Sequence, residues 1–213
     1  MSFDTYSALQ TEIAEYAQRS NSTTFVAKIP TFIKLAEQDI FRKLRSYLLE
    51  SVETVNFSAT VATAALPTRC REIKSVRLNG DYAKELRNAP LAALTQQYRS
   101  ADAGTPNEYA IRGSNFVLFP TPAVDGTLSV TCTIAPEALS GSNGSNTVLA
   151  SYPDLYFYGS LVHAFRFMRN QERMVESAQA FEIAMTEANK ESKKLKSSGT
   201  ADSMRALSRR RIV

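Results

Sequence analysis

The sequence contains no tryptophan, one histidine, His163, and two cysteines, Cys70 and Cys132. A structural zinc ion takes four ligands at short, regular spacings, and these cysteines show no such spacing. We interpret both as reduced, small apolar residues. His163 lies beside Val162 and Phe165 in an apolar helical pattern, without a visible nucleophile as partner. We therefore predict that it packs or lies at the surface, and we predict no metal site and no cofactor.

The sequence also lacks the glycine-rich loops that bind phosphates, because neither G-x-x-x-x-G-K-[ST] nor G-x-G-x-x-G occurs in it. Acidic pairs such as Glu12/Glu15 and Glu37/Asp39 fall on amphipathic helices, where a solvated face explains them. A carboxylate pair whose members are distant in the chain, as in glycosidases, stays open at this stage. We predict no catalytic residue and a protein that is not an enzyme.

No apolar run approaches the ~20 residues of a membrane-spanning helix, so no membrane partner is expected. The first residues, Met1-Ser-Phe-Asp-Thr, lack the basic and apolar regions of a signal peptide. We therefore expect synthesis and residence in a cytosol. With 213 residues, the chain is long enough for one large domain or two small ones.

The net charge of +4 is concentrated at the C-terminus. Residues 1–189 hold 17 Lys and Arg against 19 Asp and Glu, whereas residues 190–213 hold 8 against 2. The tail has too few apolar residues to fold alone. Three interpretations stay open: a solvated terminus, an arm that contacts phosphates, or a segment that orders on a protein surface.

The last residues of the tail favour docking on a protein. Ile212 and Val213 follow three arginines and could act as an apolar plug beside a region of complementary charge. Binding of DNA would also predict a basic, aromatic-bearing face on the folded body, and the body is acidic overall. Sequence-specific recognition of DNA is therefore not favoured.

The N-terminal segments have helical periodicity. A first helix is predicted over Thr5–Arg19, and a second helical region over Phe25–Arg45, in which Pro30 begins a helix. The predicted buried positions are Tyr6, Leu9, Ile13 and Tyr16 in the first, and Ile33, Ala36, Ile40 and Leu44 in the second. Lys34, Glu37, Lys43 and Arg45 are predicted to be solvated.

A long apolar stripe near the C-terminus predicts one helix or a pair of helices. Ser151 and Asp154 have the spacing of a capping box, and Pro153 fits a first helical turn. The stripe consists of Leu155, Tyr158, Leu161, Val162, Phe165 and Met168 and, beyond a polar break at Asn170-Gln171, of Met174, Ala178, Phe181 and Met185. These helices are expected to pack on the N-terminal ones.

Between the helical segments the periodicity changes to two, which is typical of strands. Strands are predicted near Val52–Phe57, Val61–Leu66, Ile73–Leu78 and Leu128–Ile134, with a hairpin over Glu108–Arg112 and Phe116–Phe119 and a short helix over Pro90–Tyr98. Segment Ser140–Asn146 is rich in serine, glycine and asparagine and predicts a mobile loop.

We thus predict an α+β fold, in which a helical bundle carries an inserted β-rich subdomain and an extended C-terminal tail. The predicted boundaries are 1–47 for the N-terminal helices, 48–136 for the β-rich insertion, 137–150 for a flexible loop, 151–196 for the long C-terminal helices and 197–213 for the basic tail.

The order of short motifs resembles the adaptor, or head-completion, proteins of short-tailed phages. The motifs are Tyr6-Ser-Ala-Leu-Gln-Thr-Glu-Ile13, Phe32-Ile-Lys-Leu-Ala-Glu-Gln-Asp-Ile40, Arg42-Lys-Leu-Arg45, Leu66-Pro67, Glu72-Ile-Lys-Ser-Val-Arg-Leu-Asn-Gly80, Tyr109-Ala-Ile-Arg-Gly113, Phe119-Pro-Thr-Pro122, Gly126-Thr-Leu128, Tyr152-Pro-Asp-Leu-Tyr-Phe-Tyr-Gly159 and Asn170-Gln-Glu-Arg173. Each has an ordinary structural explanation, and their ordered recurrence, which extends to about Lys196, carries the resemblance.

The resemblance implies a structural virion protein of the phage neck that assembles in the host cytoplasm. It implies a twelve-fold homo-oligomeric ring beneath the portal protein, which presents a platform for tail nozzle and fibre proteins. Such a ring extends the channel for double-stranded DNA, without sequence-specific binding, and retains the packaged genome. The C-terminal segment would reach the portal, a role that falls here to Arg205, Arg209, Arg210, Arg211, Ile212 and Val213.

Two alternatives belong to other functional classes. The first is a cytosolic helical protein whose basic C-terminal arm binds nucleic acid, with an affinity that falls steeply with salt. The second is an enzyme that hydrolyses the cell wall during entry, which a zymogram with peptidoglycan would reveal.

Overall fold

The computed structural model describes residues 4–80, 84–98 and 102–197. They form two compact units. The helical unit comprises the described residues within Met1–Leu48 and Pro136–Val213, and the β unit comprises those within Leu49–Ala135. The fold is therefore mixed α+β, as predicted, because the long helices and the sheets segregate into different parts of the chain.

The helices begin and end close to the predicted positions. They are α1 (Tyr6–Tyr16), α2 (Thr23–Val26), α3 (Ile29–Lys43), α4 (Leu91–Gln97), α5 (Thr147–Ser151), α6 (Pro153–Phe167) and α7 (Gln171–Ser197), with a short 3-10 helix at Tyr47–Leu49. Pro30 lies in the first turn of α3 and Pro153 opens α6, where the missing N–H of proline has no helical partner to lose.

Helix α6 occupies the centre of the helical unit, where it packs against α3 and α7, while α1 contacts both α3 and α6. The predicted stripe of α3 is confirmed, because Ile33, Ala36, Ile40 and Leu44 are all buried. Close approach of the helices depends on Gly159. A Cβ atom there would lie 3.1 Å from both the Cβ of Ala36 on α3 and the Cε2 of Phe181 on α7.

Two details of the predicted helix start are wrong. Ser151 does not cap α6, because it is the last residue of α5, and Tyr152 holds the N-cap position of α6 without a side-chain hydrogen bond. The segment predicted as a loop, 137–150, also contains most of α5. Asn146 caps that helix, since its Oδ1 accepts from the N–H of Leu149 at 2.9 Å.

The β unit contains three sheets. Its strands are β1 (Glu50–Phe57), β2 (Thr63–Ala65), β3 (Cys70–Leu78), β4 (Lys84–Glu85), β5 (Arg87–Asn88), β6 (Ala103–Gly104), β7 (Glu108–Arg112), β8 (Asn115–Phe119), β9 (Thr121–Pro122) and β10 (Gly126–Ile134). The sheet orders are β1-β10-β3-β4, β2-β8-β7-β5 and β6-β9. Pairing is antiparallel except between β5 and β7 and between β6 and β9.

The central strand β10 shows the predicted alternation, because Leu128, Val130 and Cys132 are fully buried in the core of this unit. Burial raises the pKa of the Cys132 thiol to about 12, and a hydrogen bond with the thiol of Cys70 adds to the shift. Cys132 is therefore a neutral thiol at physiological pH, and it packs as a small apolar side chain.

One prediction about α3 is wrong. Glu37 was expected on the solvated face, yet it is only 4% exposed. Glu37 lies at the edge of the apolar stripe, where the helical pattern does not distinguish a buried residue from an exposed one. The segment that covers it, around Leu139, is distant in sequence. Periodicity within one helix cannot show such a cover.

Candidate interaction surfaces

The predicted portal-binding residues Arg205, Arg209, Arg210, Arg211, Ile212 and Val213 lie outside the described residues. Their role stays a prediction. Within the described part of the helical unit, three features bring charged or polar side chains together: a basic corner, an acidic helix face and a buried carboxylate.

The basic corner is formed at the connection between α6 and α7. The N–H of Asn170 donates to the carbonyl of Phe165 at 3.0 Å, and the N–H of Arg169 donates to that of Arg166 at 3.1 Å. These two bonds are the Schellman pattern that ends a helix. Arg169 has a φ of 56°, in the left-handed region where glycine is usually found.

Asn170 then begins the next helix directly. Its Oδ1 accepts from the N–H of Arg173 at 3.1 Å, and its carbonyl accepts from the N–H of Met174 at 3.1 Å. The connection is therefore short and hydrogen-bonded on both sides. It holds the arginines of the α6 end and the α7 start on one corner of the unit.

Aromatic side chains support this corner. The ring of Phe167 lies 5.6 Å from that of Phe32 and 6.5 Å from that of Phe25, and Phe25 and Phe32 are themselves 5.7 Å apart. Phe25 and Phe32 are buried, whereas Phe167 is 48% exposed. The guanidinium of Arg173 lies 5.8 Å from the ring centroid of Phe165, within the range of a cation–π contact.

We define the arginine corner as Arg166, Phe167, Arg169 and Arg173. Arg166 and Arg169 are exposed. The acidic charge of the body as a whole therefore conceals a basic, aromatic-bearing corner, which the expectation from overall charge missed. The signal in the sequence was the clustering of Arg166, Arg169 and Arg173 within eight residues around the polar break at Asn170-Gln171.

The second feature is the outward face of α7. The helix buries Ser177, Phe181, Ala184, Met185, Ala188 and Ser192. On the opposite side, residues at spacings of three and four form an exposed row, which we call the α7 stripe: Glu172, Glu176, Gln179, Ile183 and Glu187. Ile183 is 61% exposed within this acidic row. The acidic row with this isoleucine in it is a candidate contact surface for a basic partner.

The third feature is the buried carboxylate of Glu37. Its Oε1 accepts from the N–H of Leu139 at 2.8 Å and from the hydroxyl of Tyr156 at 3.4 Å. The Tyr156 hydroxyl accepts in turn from Nδ2 of Asn146 at 2.8 Å. One network thereby joins α3, α6 and the segment that precedes α5.

Burial sets the ionisation of this network. It raises the pKa of Glu37, although the hydrogen bonds from Leu139 and Tyr156 and the charge of Lys34 act in the opposite direction. Burial also raises the pKa of Tyr156, so its hydroxyl stays protonated and able to donate. The network has the character of a structural anchor for a loop.

Polar side chains also link α3 to its neighbours. Nε2 of His163 on α6 lies 3.1 Å from Oδ2 of Asp39, so the sole histidine has a partner that the sequence pattern did not show. On α7, Oδ1 of Asn189 accepts from the N–H of Arg45 at 2.7 Å, and Oγ of Ser192 accepts from that of Tyr47 at 2.9 Å. These bonds fix where the chain leaves α3.

The described residues form neither a metal cluster nor a membrane-spanning helix. Across residues 4–80, 84–98 and 102–197, no group of three or more His, Cys, Asp or Glu side chains is arranged to hold a metal ion. No helix within those segments combines the length and apolar character that crossing a membrane requires.

The chain matches a known protein family. The family model described as SU10 adaptor protein matches residues 4–210, which is nearly the whole chain and most of the basic tail. The chain belongs to the SU10 adaptor protein family. It is thus a phage adaptor with a structural role as a virion component. No curated protein matches this adaptor.

Proposed function

We propose that this adaptor forms a ring between the portal and the tail of a short-tailed phage, and that the ring extends the DNA channel and retains the packaged genome. The observation that carries the proposal is the family match over residues 4–210. The proposed ring has twelve-fold symmetry, as the resemblance implies, and tail nozzle and fibre proteins are the proposed partners on the other side. Assembly would take place in the host cytoplasm.

The helical unit and the β unit have separate roles in this proposal. Residues 1–47 and 151–196 form the body of the ring subunit, 48–136 form the inserted β-rich subdomain, and 137–150 connect them. The β unit offers a surface for the next tail component. Double-stranded DNA would pass through the channel. The channel does not recognise the DNA sequence, so contacts with phosphate groups suffice.

The tail, 197–213, is the proposed portal anchor. Arg205, Arg209, Arg210 and Arg211 would meet acidic groups on the portal, while Ile212 and Val213 fill an apolar site. A segment that orders only on its partner keeps the free protein from assembling prematurely, because the entropy cost of ordering is offset only at the right surface. The family match extends to residue 210, which supports a role for this segment.

The test is co-sedimentation with the cognate portal ring, using the full-length protein and a version that ends at Ser198. We expect the full-length protein to bind the portal. The shortened protein should bind it with an affinity that is at least about tenfold lower. A full-length variant with Arg209, Arg210 and Arg211 changed to alanine keeps the length of the tail and removes three of its charges. It therefore separates the effect of tail charge on portal binding from the effect of tail length.

The alternatives give different results. If both versions join the portal, the folded body carries the interface and the tail assignment is wrong. If neither joins it, while the full-length protein binds duplex DNA in a salt-dependent manner, the basic arm binds nucleic acid and the adaptor ring is not supported.

A further inference from the structure

We infer that the arginine corner of one copy docks on the α7 stripe of a second copy, so that these two surfaces form the contact between neighbouring subunits. The inference rests on the proposed ring and names its interface. The two surfaces carry opposite charges. The corner presents Arg166 and Arg169, whereas the stripe presents Glu176 and Glu187, and all four are exposed.

The basic character of the corner extends beyond the two helices. Phe25, which contacts Phe167, lies in a segment, 17–28, that contains Arg19 and Lys28 and no acidic residue. On α7 the bias is reversed, because residues 174–189 contain three glutamates and no lysine or arginine. Opposite charge of this kind steers association and excludes the pairing of two like surfaces.

Each surface also carries an exposed apolar side chain beside its charges. Phe167 is 48% exposed on the corner, and Ile183 is 61% exposed on the stripe. Val26, the residue after the Phe25 that contacts Phe167, is also exposed. A protein interface typically has an apolar centre with a polar rim. Duplex DNA needs cations for its phosphates and would leave Phe167 without an apolar counterpart. The corner therefore fits a protein surface better than a phosphate backbone.

The positions of the two surfaces favour a chain of contacts. Within α7, Arg173 of the corner lies ten residues before Ile183 of the stripe, which is about 15 Å along the helix axis. The corner of one copy can therefore engage a neighbour while its stripe stays free for another. A contact between different surfaces is heterologous, and such contacts close into rings when the rotation between copies permits.

The experiment reverses the charges in two separate proteins. The corner variant carries Arg166→Glu and Arg169→Glu, and the stripe variant carries Glu176→Lys and Glu187→Lys. Assembly is measured by analytical ultracentrifugation, alone and with the cognate portal ring. We expect each variant to need at least about tenfold more protein than the wild type for assembly.

Mixing gives the decisive result. Each variant keeps one intact surface, and the altered surfaces of the two variants are complementary to each other, so a mixture of the two should assemble with the variants in alternation. A third protein with all four reversals should assemble again, because its charges are complementary with opposite sign. The control carries Arg77→Glu and Arg112→Glu on the β unit, which changes the net charge as the corner variant does and should assemble like the wild type.

The outcomes separate this inference from the proposed function. If the wild type forms rings on the portal and the two variants do so equally well, the corner–stripe contact is wrong and the ring remains. The contact is also wrong if both variants fail, their mixture does not assemble and the fourfold variant does not recover. If the corner variant loses only affinity for duplex DNA, the corner binds phosphate. If the wild type never assembles, both the proposed ring and this contact are wrong.

Discussion

Glu37 is a carboxylate at a position where a packed helix ordinarily carries an apolar residue. Because burial raises its pKa, the fold favours the protonated form over the ionised form. The sign follows directly: stability is greatest below the pKa of the unfolded chain and is lost as pH rises through the higher pKa of the folded protein. A glutamine at this position keeps an acceptor for Leu139 and has no charge to desolvate.

We therefore expect the difference in free energy of unfolding between Glu37→Gln and the wild type to depend on pH. Urea titrations across the range above about pH 4.5 should show Glu37→Gln gaining stability relative to the wild type as pH rises. Glu15→Gln, at an exposed position on α1, is the matched control and should track the wild type. A difference that stays constant with pH would show that Glu37 is not buried in this way.

Arg169 is the second informative residue, because a side chain in the left-handed conformation costs about 1 kcal/mol that glycine avoids. Arg169→Gly should raise the free energy of unfolding by about 0.5–1 kcal/mol, since greater freedom of the unfolded chain offsets part of the gain. Arg169→Ala removes the charge without relieving the backbone and should not stabilise. Equal stabilities for both variants in urea unfolding would contradict the strain.

At the scale of the helices, Gly159 sets the approach of α6 to α3 and α7. Gly159→Leu should lower the free energy of unfolding by about 3 kcal/mol, because atoms beyond Cβ would have to displace Ala36 and Phe181. Gly141→Leu is the control, since a Cβ there meets no atom within 4 Å. Urea unfolding measures both, and similar losses at the two positions would exclude tight packing as the cause.

Helices were predictable where their signals are local. Apolar residues three and four apart gave the buried face of α3, and the polar break at Asn170-Gln171 lies where α6 gives way to α7. Ser151 misled because a capping-box spacing specifies side-chain types only, and a separate short helix, α5, ends at that residue. Two-residue strands such as β5 and β9 depend on partners distant in the chain, so no local pattern reveals them.

At the scale of the whole molecule, the sequence showed the order of helical and β-rich parts but not the surfaces. Net charge averaged over residues 1–189 hid the arginine corner and the α7 stripe, because their charges nearly cancel in a sum. Burial of Glu37 also required the fold, since its cover comes from Leu139, about a hundred positions later. The ordered recurrence of short motifs predicted a phage adaptor, and the family match confirms the role at that level.

The path of the chain through the β unit has one more consequence. Its first strand, β1, pairs with its last, β10, and Glu50 lies opposite Thr133. The entry and exit of this whole block therefore lie side by side, about 5 Å apart between Cα atoms. Replacing residues 49–135 with a linker of about four residues should leave a helical protein that unfolds cooperatively, as followed by circular dichroism.

If the shortened protein does not fold, the helices need the block for stability. If it folds, the block is an exchangeable cassette. A gene could then acquire, lose or replace it at a single insertion point, and phages could change what their neck presents to a new tail while the helical scaffold stays the same.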